Sequence, residues 1–246
     1  MPKPTNSYIL IFMITLSVFS AVILAFVSES LKPAQIANIE LEKKKSILGT
    51  FLDVSTMSKE EINKLYDSKV KTKVVSVDSK ELDMSEATVK VSDEYRKDLK
   101  ERHLPVYEIL NDKGEVEYTV LPFYGHGLYD DIWAYVAIEP DMKTIKGVVL
   151  DNKGETPGLG ARMSEKQIAD RYKGKSIRDD KGNIITITMQ KGEKGGGEVS
   201  IKAFENEPHK VDGLSGATNT GKGINVMFET YLQAYTAYLN SKLTTK

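Results

Sequence analysis

PVYEILNDKGEVEYTVLP (105–122) and IWAYVAIEPDMKTIKGVVLD (132–151) decide the fold of this chain. In both stretches apolar and polar residues alternate, the period-2 pattern of a strand with one face buried. The first stretch breaks once, at Asp112-Lys113-Gly114, where glycine supplies the turn of a β-hairpin. The second breaks near Pro140-Asp141. Two successive hairpins predict an antiparallel sheet.

Downstream, residues 165–172 read as a short helix and NIITITM (183–189) as another strand, with Lys194-Gly195-Gly196-Gly197 a flexible turn. The last element is a helix of about 20 residues, since Ile224, Met227, Phe228, Tyr231, Leu232, Tyr235, Tyr238 and Leu239 recur at helical spacing on one face. Upstream, 85–103 is strongly charged and reads as a solvated helix or loop; 69–79 and 87–92 read as short polar strands. SKEEINKLY (58–66) opens on a capping Ser58 and an acidic first turn, and 33–53 runs helical after Pro33, as a stalk. No repeat is visible. The expected fold class is α+β, an antiparallel sheet with helices around it.

Residues 8–27 (YILIFMITLSVFSAVILAFV) contain no charge, proline or glycine. As a helix they span ~30 Å, the thickness of a bilayer's hydrocarbon core. A cleaved signal peptide is the competing reading, but its apolar region is shorter, about 7–15 residues, and no A-x-A site follows here. Charge bias does not set the topology: Lys3 precedes the span, and Glu29, Lys32, Lys43, Lys44 and Lys45 follow it. The organisation expected is 1–7 as a short cytoplasmic N-terminus, 8–27 as a transmembrane helix, 28–54 as a stalk helix, 55–104 as an additional α/β segment and 105–246 as the principal domain.

A net charge of -1 argues against a nucleic-acid partner. The absence of cysteine excludes disulfides, thiolate zinc sites and iron–sulfur ligation by this chain. His103, His126 and His209 share no metal-ligand spacing, so no metal site is expected.

Three glycine-rich segments lie at the ends of regular elements: Gly125–Asp130, Gly154–Gly160 and Asp212–Thr220. In the third, small residues lead into the last helix, where free backbone N–H groups and the helix dipole suit a phosphate. Ser215, Thr218 and Thr220 add hydroxyls, and Gly213 and Gly216 permit close approach. A threonine hydroxyl is a weak nucleophile and no triad is visible nearby, so this segment reads as a receiver of phosphate. An unliganded helix start remains the alternative on spacing alone, as a plain surface turn does for Glu155-Thr156-Pro157-Gly158.

The string Asp212-Gly213-Leu214-Ser215-Gly216-Ala217-Thr218-Asn219-Thr220 resembles the flavinylation motif of FMN-binding domains, in which the last threonine carries FMN through a phosphoester. Together with LKPAQIANIELEKKKSIL (31–48), GHGLYDDIWAYVAIEPD (125–141) and GETPGLGARM (154–163), it resembles the NqrC family, the C subunits of sodium-translocating NADH:quinone reductases. The resemblance covers most of the chain and is weakest over about 55–104. Relatives often carry a lysine and a tryptophan where this chain has His126 and Tyr129; tyrosine keeps an aromatic surface there. They often have a leucine and a serine where Asn219 and Gly221 flank the acceptor.

The resemblance implies covalent FMN on Thr220. It implies a pocket of Leu128, Tyr129, Glu155, Thr156, Gly158, Leu159, Ser215, Gly216, Ala217 and Thr218. It also implies recognition of Asp212, Gly213, Ser215, Gly216, Ala217, Thr218 and Thr220 by a magnesium-dependent flavin transferase that uses FAD. The chain would relay electrons without turnover of its own, beside the other five members of the complex (A, B, D, E and F), with its domain on the periplasmic side of a bacterial inner membrane. The G component of an Rnf-type ferredoxin:NAD oxidoreductase shares the anchor and the flavin motif. A membrane-anchored binding or assembly module without redox chemistry is the alternative of a different class.

Overall fold

The structure is a computed structural model that describes residues 5–243. Residues 1–4 of the N-terminal segment, and 244–246, lie outside the described residues. The chain divides into two compact units, 1–43 and 44–246.

Helix α1, Asn6–Gly49, is long and apolar enough to cross a membrane, and its apolar side chains over 8–27 are exposed. Pro33 lies inside it rather than opening a second helix. A mid-helix proline removes one backbone hydrogen bond, a local cost of about 3 kcal/mol. The helix carries that cost because 34–45, rich in Ala, Glu and Lys, is helix-forming.

In the second unit, α2 (Lys59–Lys69) begins with the predicted Ser58 cap, completed by Glu61 into a capping box. Strands β1 (Val70–Ser76) and β2 (Glu81–Leu82) follow, then α3 (Val91–Tyr95). The strand expected over 87–92 is instead a 3-10 turn followed by α3, because the Ser85 hydroxyl accepts from the Ala87 N–H and starts a helical turn. Nor is 85–103 merely solvated. Glu94 is buried, accepting from the His103 N–H and Lys97, and Arg102 is buried, donating to the carbonyls of Tyr95 and Lys97.

The two predicted hairpins form as read. Strands β3 (His103–Leu110) and β4 (Val116–His126) join through a turn with Gly114 at φ +79°. Strands β5 (Asp131–Ile138) and β6 (Ile145–Asn152) join through a turn in which Asp141 accepts from the N–H groups of Lys143 and Thr144. Every pairing in the six-stranded sheet is antiparallel, in the order β2-β1-β3-β4-β5-β6. The strands from 55–104 and those from 105–152 therefore share one sheet.

Helix α4 (Lys166–Ala169) lies within the predicted 165–172 helix. Of the strand expected over 183–189, only β7 (Thr188–Met189) forms, pairing in parallel with β8 (Lys210–Val211); Ile184 contributes one bridge to Arg178. The alternation is present there, but no neighbouring strand lies beside most of that stretch to supply a ladder. Helix α5 (Gly197–Lys202) follows the glycine run.

The last helix is α6 (Thr218–Ala234), continued after Tyr235 by α7 (Thr236–Leu243). All eight predicted apolar positions are buried. They pack on the sheet face of Leu121, Phe123, Ala134 and Val136, with the Phe123 and Phe228 rings 5.3 Å apart. The alternate residues Tyr107, Ile109, Val120 and Ala137 form a second core with Ile47 on the opposite face. Period 2 in the strands thus serves two cores, and the packing of α6 across β4 fixes the end of the sheet where the three glycine segments meet.

Candidate functional site

Thr220 sits in the first turn of α6 and is 1% exposed. Its helix begins at Ala217 with no side-chain cap, and the first helical hydrogen bond runs from Gly221 N–H to the Ala217 carbonyl. The N–H groups of Thr218, Asn219 and Thr220 therefore precede the intrahelical ladder, at the positive end of the dipole. Two glycines bring this turn to the end of β4. A Cβ on Gly223 would overlap the His126 carbonyl, and one on Gly125 would lie 3.0 Å from Met227 Cβ.

The Thr220 hydroxyl donates to Glu155 Oε2 at 2.6 Å. Glu155 is 4% exposed. Its other oxygen accepts from the Tyr129 N–H at 2.8 Å and the Asp130 N–H at 3.4 Å, and its own N–H donates to Asn152 Oδ1 at 3.0 Å. Burial pushes its carboxyl up, and the Thr220 hydroxyl with the N–H groups of Tyr129, Asp130 and Leu128 outweighs burial, so its pKa lies below the ordinary value. The carboxylate is seated between two glycines. A Cβ on Gly127 would come within 2.5 Å of Oε1, and one on Gly160 would overlap Oε2 and lie 2.6 Å from Thr220 Oγ1.

The loops beside this buried pair expose three large apolar side chains: Leu128 is 48% exposed, Tyr129 70% and Leu159 43%. Exposed aromatic and aliphatic side chains beside a helix N-terminus are the elements of a site for a planar ring bearing a phosphate. Gly216, at φ +71°, backs onto Leu159, where a Cβ would lie 2.8 Å from Cδ2. Gly158 takes φ +74° in the turn closed by the Leu159 N–H on the Thr156 carbonyl. Ser215 and Gly216 are exposed, Thr218 is half-buried and Ala217 buried. The residues predicted from all three glycine segments therefore converge, and the donor set and apolar surface fit FMN.

Asp212 and Gly213 sit apart from that surface. Asp212 is buried and accepts from Ser200 Oγ at 2.5 Å, from the Lys194 N–H at 2.7 Å and from the Gly213 N–H at 3.0 Å. A Cβ on Gly213 would overlap the carbonyls of Gln190 and Gly192. Arg171, also buried, donates to the Gly213 carbonyl at 2.5 Å and to Glu193 at 2.5 Å, and Arg162 makes two bonds to Glu193 at 2.9 and 3.1 Å. Arg162, then Arg171, pull the Glu193 carboxyl down to about 2 against the opposing effect of burial.

Sequence reading missed Asn152, Arg162, Arg171 and Glu193. The glycine spacing around 127 and 160 signalled close approach; nothing in the local sequence distinguishes Arg171 from a surface arginine.

The FMN-binding domain family matches residues 127–233, the span that contains Leu128, Tyr129, Glu155, Leu159 and Thr220. The chain is 30% identical over 232 residues to the C subunit of the Na(+)-translocating NADH-quinone reductase of Pseudomonas aeruginosa, covering 87% of this chain and 86% of that protein. It is 28% identical over 240 residues to the corresponding protein of Pasteurella multocida, covering 91% and 88%. Among solved structures it is similar to the C subunit of the same reductase from Parabacteroides distasonis, with a TM-score of 0.70, 26% identity and coverage of 85% of this chain and 96% of that one. The NqrC structure from Shewanella oneidensis gives a TM-score of 0.67 at 28% identity, covering 83% and 97%.

Proposed function

The chain belongs to the NqrC family, the C subunits of Na(+)-translocating NADH-quinone reductases, and on that premise we propose that it is a membrane-anchored electron-transfer protein of such a complex, with FMN held as a phosphoester on Thr220. The observation that carries the reading is the position of Thr220: it stands at an uncapped helix start, against the two other loops that carry exposed Leu128, Tyr129 and Leu159. The free N–H groups of α6 hold the phosphate, as helix N-termini do. Leu128, Tyr129 and Leu159 face the ring, and the Glu155–Gly158 turn fixes its edge. When bound, FMN supplies one-electron exchange; the protein supplies orientation and a partly dry surface.

A covalent bond suits a relay, because occupancy no longer depends on a dissociation equilibrium. As a member of that family the chain functions beside the other five members of the complex (A, B, D, E and F). Its α1 holds it in the inner membrane, and the domain from 55 onward lies on the periplasmic side, where the flavin transferase acts. On the folded chain a transferase meets Ser215, Gly216 and Thr218; Asp212, Gly213 and Ala217 serve recognition by fixing the shape of that loop.

The test is the intact mass of the full-length protein made with the transferase. Wild type gains FMN less one water, and Thr220→Val gains nothing while remaining folded, with the loss of stability expected when Glu155 is deprived of one donor. Label persisting on the valine variant moves the acceptor elsewhere and overturns the assignment.

A further inference from the structure

A threonine hydroxyl needs a base to become a useful nucleophile. In the third glycine segment the one carboxylate, Asp212, is taken up by Ser200 and the N–H groups of Lys194 and Gly213, and the fold delivers another to Thr220 from 65 residues away. We propose that Glu155 is the general base for covalent attachment at Thr220, taking the Oγ proton as Oγ attacks phosphorus. The proposal rests on the reading of Thr220 as acceptor and adds the group that activates it.

The step balances without a redox partner. With a flavin adenine dinucleotide presented by the transferase, the Thr220 Oγ–P bond forms and the P–O bond linking the two phosphates breaks. The electron pair leaves on the adenosine monophosphate, and the Oγ proton passes to Glu155 Oε2.

The geometry meets each requirement of a nucleophile–base pair. The O–H···O separation is 2.6 Å, within direct proton-transfer reach. The second carboxylate oxygen is fixed by the N–H groups of Tyr129 and Asp130, as a catalytic base is oriented by a third group. The neighbouring ionisable side chains are matched among themselves: Asp130 with Lys153, and His126 with Asp131 at 2.8 Å. Glu155 itself has no cation among the described ion pairs; its partners are backbone N–H groups on Oε1 and the Thr220 hydroxyl on Oε2.

The pairing also selects the acceptor. Among the described hydrogen bonds, of the motif hydroxyls of Ser215, Thr218 and Thr220 only that of Thr220 reaches a carboxylate. After transfer the proton stays on Glu155, so the new diester faces a neutral carboxyl; two adjacent anions would repel.

The experiment follows attachment over time by intact mass, using full-length unmodified protein in detergent with FAD, Mg²⁺ and excess transferase. Glu155→Gln keeps the shape and removes the base; it is expected to attach about 100-fold more slowly, the lower range of general-base contributions. Glu155→Ala is expected to slow comparably and to recover in added formate but not in formamide, which fills the same space without accepting a proton. Glu155→Gln attaching at the wild-type rate overturns the proposal. So does recovery with formamide as with formate, or recovery with neither. Where the alanine variant does not fold, Glu155→Asp decides: it must attach at least tenfold faster than the glutamine variant, and equal rates overturn the proposal. Label on Thr220→Val removes the acceptor reading itself, an outcome distinct from unlabelled Thr220→Val beside fast Glu155→Gln.

Discussion

Glu155 and Glu193 are two carboxylates withdrawn from solvent on loops beside the same helix start, and they live in opposite environments. Glu193 is held by two guanidiniums, and Arg171 extends that grip to the carbonyls of Asp212 and Gly213. Glu155 has no cation among the described ion pairs; backbone N–H groups and one hydroxyl are its partners. The first arrangement is a lock, because a charge satisfied by opposite charges has little left to offer a ligand. The second is chemically available, because its strongest partner is the one group a ligand would modify. The second lies beside the loops that carry exposed Leu128, Tyr129 and Leu159.

The contrast breaks most readily at Arg171. Arg171→Ala leaves two buried carbonyls and half of the Glu193 pairing unmet, and is expected to destabilise the chain by about 3–5 kcal/mol, measured by urea unfolding. Attachment should fall only to the extent that the fold is lost; unchanged stability with lost attachment would make this region part of the site.

Acid sharpens the contrast. Glu193 has a folded pKa of about 2 against an ordinary 4.5, so its stabilisation is fully present above about pH 4.5 and is lost as pH falls from there towards 2. The stabilisation at stake is on the order of 3 kcal/mol. Glu193→Gln should flatten the stability curve across that window, and an unchanged curve would deny Glu193 its role as lock.

Gly160→Ala is the smallest perturbation and is aimed at the other region. Its Cβ would press on both Glu155 and Thr220. The expected cost in melting experiments is about 1–3 kcal/mol, typical of overpacking. Attachment at Thr220 should drop well beyond what that instability explains; a variant that attaches normally would show that the pair tolerates displacement.

The hairpins of 105–151 and the buried face of α6 were legible because each repeats a short-range period. The strand expected over 87–92 was not, because a serine side chain captured the backbone locally. That over 183–189 was not, because alternation requires a partner strand that the topology does not supply along most of its length. In the site, the glycines and hydroxyls were visible as a phosphate receiver, while the base and the arginine lock were invisible.

The sequence by itself determined an apolar span long enough to cross a membrane, an antiparallel sheet, an amphipathic last helix and a threonine at its start. Each of these follows from residues within a turn or two of one another. Only the tertiary structure decided that Glu155 meets Thr220 and that Arg171 meets Gly213. Those contacts join residues 65 and 42 positions apart. They depend on how α6 crosses β4 and on glycines whose missing side chains let loops approach, a geometry that no local pattern encodes.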